Sequence, residues 1–183
     1  MEANSLKELY VDELRDLYDA EQQITKALPK MIDAASSDEL QSALNEHLEV
    51  TKQQAQRLEK IFENLGEKVK GKKCKGMEGL IKEGSEVIEE NEDEQVRDAA
   101  IISAAQRVEH YEMAGYGTVR TYASLLGEDN AADLLQQTLD EEKEADEKLT
   151  QLAEQINLEA AKGEAVEEKA PPRKSASKSR RVA

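Results

Sequence analysis

Apolar residues recur at steps of three and four along most of the chain, the spacing of helices that each bury one face. Leu6, Tyr10, Leu14, Leu17, Ile24, Leu28 and Ile32 form the first stripe, with Asn4 or Ser5 placed to cap its start. Pro29 falls inside that stripe and predicts a kink or an early end, because proline removes a backbone donor and crowds the preceding turn. Ser36, Ser37 and Asp38 then open a second helix on Leu40, Leu44, Leu48, Thr51, Ala55, Leu58, Phe62 and Leu65, stopped by Gly66. Between Glu67 and Glu94 the pattern weakens into a basic loop (EKVKGKKCKG), a short amphipathic piece (MEGLIKEGSEVIEE) and an acidic turn (NEDE). A third helix runs from about Gln95 to Leu126 and ends at Gly127; a fourth runs from about Asn130 to Leu158 on Leu135, Leu139, Leu149, Ala153 and Ile156.

Two tight hairpins joined by one long connection predict an all-α fold. The topology is that of a ferritin-like four-helix bundle, with a crossover carrying a short helix between helices two and three. A heptad coiled coil with polar interruptions is the alternative. The bundle takes residues 1–160 and leaves 161–183 as a basic C-terminal tail. That tail holds seven bases against three acids from Lys162 onward, a net +4, so the rest of the chain carries −19 of the total −15. Rich in proline, serine and bases and poor in apolar residues, the tail is expected to be disordered. Nucleic-acid binding through it is a weak expectation, with a solubilising extension as the plainer reading.

Composition fits this picture. Of 183 residues, 36% are charged and 3% aromatic, a balance that suits amphipathic helices rather than sheets. No stretch approaches the ~20 apolar residues of a membrane span, and the opening MEANSLKELY lacks the regions of a signal peptide. A cytoplasmic protein without membrane contact is expected. Cys74 is the single cysteine, which excludes an internal disulfide or thiolate cluster; its neighbours Lys72, Lys73 and Lys75 would favour a thiolate, and an inert surface thiol is nonetheless the expectation.

The stripes have acidic gaps. Glu21 sits on the centre line of the first apolar face between Leu17 and Ile24; Glu142 does so in the fourth helix, with Asp146 one turn on. Glu112 does so in the third, with Glu109 one turn before. Register across the hairpins sets Glu112 opposite Glu142, Glu109 opposite Asp146, and Glu21 opposite Thr51, between His47 and Gln54. All these polar residues then fall at one level midway along the bundle. Five acids with so few bases nearby would repel one another, and a cation resolves the conflict. Carboxylates with one imidazole suit iron or manganese, with zinc admitted. The candidate metal ligands are therefore Glu21, Glu109, Glu112, Glu142, Asp146 and His47, with His47 equally placed as a donor behind the ligands or a core filler. Glu46, Glu49 and His110 face solvent on this reading. Gly115, on the buried stripe past Glu112, is expected to leave room for metal-bound oxygen, water or a local π-bulge, and Gly117 to admit the crossover or a second subunit.

The runs AEQQITKALPKM, EHLEVTKQQAQRLEKIF, KCKGMEGLIKEG, RDAAIISAAQRVEHYEMAGYGTV and TLDEEKEADEKL resemble the YciF-like family of bacterial stress proteins, within the ferritin-like superfamily. The resemblance spans about Leu6 to Leu158. It implies a ferritin-like bundle, usually a homodimer, with a rubrerythrin-like central site. Such di-metal sites use a lone Glu on one helix and Glu-x-x-His on another. Glu21 matches the lone Glu, Glu109 and Glu112 form a Glu-x-x-Glu, Glu142 matches a ligand Glu, and Ala145 stands where the paired His would be. Two function classes stay open: an iron or manganese protein, dinuclear in its fullest form, that reduces peroxide or oxygen or handles metal during stress; and a stress-induced structural or interaction module without turnover.

Overall fold

The structure, a computed structural model, describes residues 4–69 and 72–167. Residues 168–183, most of the basic tail, lie outside the described residues. The described residues form five helices: α1 (Leu6–Ala34), α2 (Asp38–Leu65), α3 (Lys75–Glu90), α4 (Glu94–Leu125) and α5 (Asp129–Glu167). There is no strand among the described residues, and no helix is long and apolar enough to cross a membrane.

Local chemistry sets the helix ends. Ser5 caps α1 by accepting from the Glu8 amide at 3.2 Å, while the Glu8 carboxylate reaches back to the Asn4 amide at 2.7 Å, a reciprocal cap at one turn's spacing. Ser37 caps α2, and Gly66 ends it in the left-handed region at φ 67°. Gly127, at φ 77°, turns the chain between α4 and α5. Pro29 neither ends nor shortens α1, which continues to Ala34 with the proline ring on the exposed side. The lost amide bond there costs less because water can serve the freed carbonyl. At the other end, α5 continues past the expected stop near Leu158 and past residue 160 to Glu167.

The α1–α2 turn is held by the start of α4. The buried Asp98 carboxylate accepts from the Ser36 and Ser37 amides, both at 2.8 Å, and from the Ser36 hydroxyl at 2.7 Å. Arg97 donates to the Ala34 carbonyl at 2.9 Å. An anion thus sits at the start of α2 and a cation at the end of α1, the arrangement each helix dipole favours. Tyr18 meets Glu59 and Arg15 meets Glu67, so α1 and α2 run antiparallel. Contacts from Gln106 to Asp146 and Thr150 show the same for α4 and α5. The crossover helix α3 packs on α1 and α4.

Two apolar clusters fill the interior. One holds Leu14, Leu17, Leu58, Phe62, Tyr116, Val119 and Leu135. The other holds Ile24, Leu28, Leu44, Met77, Ile101, Val108 and Leu149. Along every long helix the chain passes from one cluster to the other through a polar layer: Glu21 on α1, His47, Thr51 and Gln54 on α2, Glu109 and Glu112 on α4, Thr138 and Glu142 on α5.

Candidate metal centre

Glu21, Glu109, Glu112 and Glu142 are each at most 2% exposed. Their helices place them there for one reason: each lies on the face that otherwise carries Leu, Ile or Val, so packing that face drags the carboxylate inward. His47, Glu109, Glu112 and Glu142 each present one ligating atom, and those atoms all lie within 4.8 Å of one another. A first-row metal at ~2.1 Å from its ligands keeps them within ~4.2 Å of each other. Closure by a few tenths of an ångström would therefore bring the four into ligating range.

The cluster is short of donors. Both oxygens of Glu142, Oε2 of Glu109, Oε1 of Glu112, Oε2 of Glu21 and Nε2 of His47 are buried without a hydrogen-bond partner. His47 Nε2 lies 3.3 Å from Glu109 Oε1 yet makes no hydrogen bond. Buried oxygens are normally satisfied, so an orphan set converging on one point is what a bound cation would complete. By that test the side chains fit a metal ion, and three carboxylates with one imidazole suit iron, manganese or zinc.

Electrostatics agree. Burial, then the Glu142 charge, holds Glu21 and Glu109 well above the usual carboxylate range. Burial, then the Glu21 charge, does the same to Glu112. Burial pushes Glu142 up to about 8, and it pushes His47 down to about 4, so the imidazole is neutral and free to ligate. The Tyr116 hydroxyl donates to Glu21 and draws its pKa partly back.

Of the six residues singled out from the sequence, His47, Glu109, Glu112 and Glu142 come together. Glu21 is buried beside them with the Tyr116 hydroxyl donating to it, and is not one of the four whose atoms lie within 4.8 Å of one another. Asp146 stands apart, its side chain 22% exposed, with Oδ1 accepting from Gln106 at 3.2 Å and Oδ2 lying 3.4 Å from His110 Nε2. The α4–α5 register is as expected, with Gln106 reaching both Asp146 and Thr150, but Asp146 points to the rim of that seam. Glu46 and Glu49 face solvent as expected. So does His110, although its ring reaches Asp146.

Three readings change. Cys74 is fully buried rather than a surface thiol: it caps α3, its Sγ lies 3.0 Å from the Tyr111 hydroxyl, and its amide donates to Asp19 at 2.8 Å. Its lysine neighbours in sequence therefore say little about its surroundings, and burial pushes the thiol pKa up. Gly115 makes room for Leu17 and not for a metal-bound oxygen, since a Cβ there would stand 2.7 Å from Leu17 Cδ2. No π-helical turn occurs among the described residues. A Cβ at Gly117 would meet Leu139 of α5 at 4.0 Å, an ordinary contact, so α5 lies where the crossover or a second subunit was expected.

One residue near the centre, Arg57, escaped the sequence reading, while Gln54 lies inward as expected. Arg57 donates to Glu141 through both guanidinium ends, at 2.5 and 2.7 Å, and to Thr138 at 3.1 Å; its charge lowers the pKa of Glu21 and Glu142. Gln54 Nε2 donates to the same Glu141 at 3.3 Å. Arg57 follows Gln54 by three residues on the inward edge of α2, a spacing that was the available signal.

Comparison with known proteins now places the chain. Residues 5–162 match the family described as a domain of unknown function, DUF892. The chain belongs to this family. Protein YciF of Escherichia coli strain K12 is 48% identical over 154 residues, covering 84% of this chain and 93% of that protein. The crystal structure of the E. coli stress protein YciF superposes with a TM-score of 0.82 at 47% identity, covering 84% of this chain and 98% of that one. YcfI of Rhodopseudomonas palustris, described as a candidate structural protein, gives 0.79 at 48% identity, covering 80% and 94%. This DUF892 member is thus a homologue of YciF across the helices that carry the cluster.

Proposed function

We propose that this chain is a ferritin-like four-helix stress protein that holds one or two iron or manganese ions at the level of His47, Glu109, Glu112 and Glu142. One observation carries the reading: four side chains from three helices converge within 4.8 Å, and each of them has a buried polar atom without a hydrogen-bond partner. Leaving such a set ionised and unpaired costs several kcal/mol, and a divalent or trivalent cation removes that cost. Glu21 would serve a second ion beside Glu112, with Tyr116 holding its orientation. Bound iron or manganese would supply redox chemistry toward peroxide or dioxygen. The chain's own part is to hold the carboxylates and the neutral imidazole in place, exclude water with the two apolar clusters, and anchor Glu141 on Arg57 beside the site.

A second reading, a structural or interaction module, is favoured by the description of the Rhodopseudomonas palustris relative. A homodimer belongs to either reading. Metal content separates the two: protein produced with ample iron and manganese carries one or two equivalents if the first holds, and Glu112→Gln carries less. No metal in the parent chain leaves the second.

A further inference from the structure

A cavity of about 170 Å³ opens against the His47–Glu109 side of the cluster, between α1, α2, α4 and α5. Four alanines, Ala27, Ala43, Ala105 and Ala145, one from each of those helices, line it and keep it open. Ile24, Leu28, Leu44, Val108 and Leu149 supply most of an apolar wall, His47 and Glu109 supply a polar inner end, and Glu46, Glu141, Glu144 and Lys148 form a charged outer rim. Ala145 follows Glu142 by three residues on the same helix, so the cavity occupies space that a larger side chain there would fill.

We propose that this cavity binds a small neutral amphipath, an alkyl or aryl body of about six carbons with one hydroxyl or hydroperoxyl head set against His47 and Glu109. Size argues for the body: a dry cavity of ~150 Å³ elsewhere takes up benzene. Chemistry argues for the head. Glu109 Oε2 and His47 Nε2 are buried without partners, and an O–H group both donates and accepts. A carboxylate head only accepts and would add charge beside Glu46, Glu109, Glu141 and Glu144, against the single lysine of the lining, Lys148. An ammonium head only donates; the rim acids Glu46, Glu141 and Glu144 would hold it in the hydrated mouth, and reaching His47 would require its desolvation. With metal bound, Glu109 and His47 would be its ligands and the head would face the filled site, so the inference rests on the metal-site reading for what the head meets, whereas occupancy of the cavity can be read without metal.

The test is calorimetric titration of the full chain, metal-free and metal-loaded, with 1-hexanol, hexanoate and hexylamine as probes. Saturable binding of 1-hexanol, at least tenfold tighter than either charged probe, is expected, with at least tenfold weakening in Ala145→Leu and in Ala27→Leu at unchanged metal content and helicity. The second variant decides the matter if the first does not fold. Hexanol binding by a chain that takes up no metal sustains the cavity and sinks the metal reading. Metal uptake without saturable hexanol binding does the reverse. Equal hexanol affinity in parent and filled variants, or tighter binding of a charged probe, overturns the proposal.

Discussion

Removing metal should leave a protein whose stability falls as pH rises from 6.5 to 8, the opposite of the usual carboxylate behaviour. Glu142 is raised from 4.5 to about 8 in the folded chain, chiefly by burial. Folded protein then keeps a proton that unfolded protein has lost, so the stabilisation is complete below about 4.5 and declines until the folded group titrates near 8. His47 has the reverse sign. Its pKa is lowered from 6.5 to about 4, so below 6.5 the unfolded chain takes up the proton first and acidification removes stability. Between 4.5 and 6.5 the two oppose each other, which leaves 6.5 to 8 as the clean window. One group bound in the folded state alone contributes ~1.4 kcal/mol per pH unit. Over that window Glu142 contributes about 2 kcal/mol, and Glu21, Glu109 and Glu112, raised in the same direction, add to it. For a chain of this size the loss corresponds to a fall in Tm of roughly 4–8 °C. Urea unfolding of chelator-treated protein at fixed ionic strength, stepped through this range, measures it, and Glu142→Gln should flatten the slope. In metal-loaded protein the slope should vanish or reverse, because ligating carboxylates must be deprotonated. A metal-free chain whose stability is level or increases through this window would refute the buried-acid reasoning.

Three further outcomes follow from single contacts. Asp98→Ala strands the Ser36 and Ser37 amides and the Ser36 hydroxyl, and should lower unfolding free energy by roughly 2–4 kcal/mol in denaturant titration. Gly76→Ala places a Cβ 2.6 Å from the Tyr111 ring and should cost roughly 1–3 kcal/mol in the same titration, with α3 gaining amide exchange before the other helices. Cys74 should react with a thiol reagent far more slowly in native than in unfolded protein, and comparable rates would mean that the α3 cap is not closed.

The carboxylate layer was legible because a helix turns a fixed angle per residue: Glu21, Glu112 and Glu142 fall on stripe centre lines whatever the partner helices do. Helix ends at Gly66 and Gly127 were legible for an equally local reason, the left-handed turn that glycine permits. What could not be read depends on contacts across the chain. Arg57 pairs with Glu141, Asp98 clamps Ser36 and Ser37, and Cys74 lies under Tyr111, each across many residues of sequence. Gly115 was misjudged because one helix does not reveal the rotation of its neighbour, and it was Leu17 of α1 that filled the space. Asp146 lies at the rim of the buried layer, beside His110, a position that helix periodicity alone does not separate from the layer itself.

The claim that the buried cluster holds metal is tested most directly by elemental analysis of protein produced with ample iron and manganese and purified without chelator. One or two ions of iron or manganese per chain are predicted, lost in Glu112→Gln and in Glu142→Gln but kept in Glu46→Gln, whose side chain faces solvent beside Lys148. Parent protein without bound metal, or equal metal in all four proteins, would contradict it.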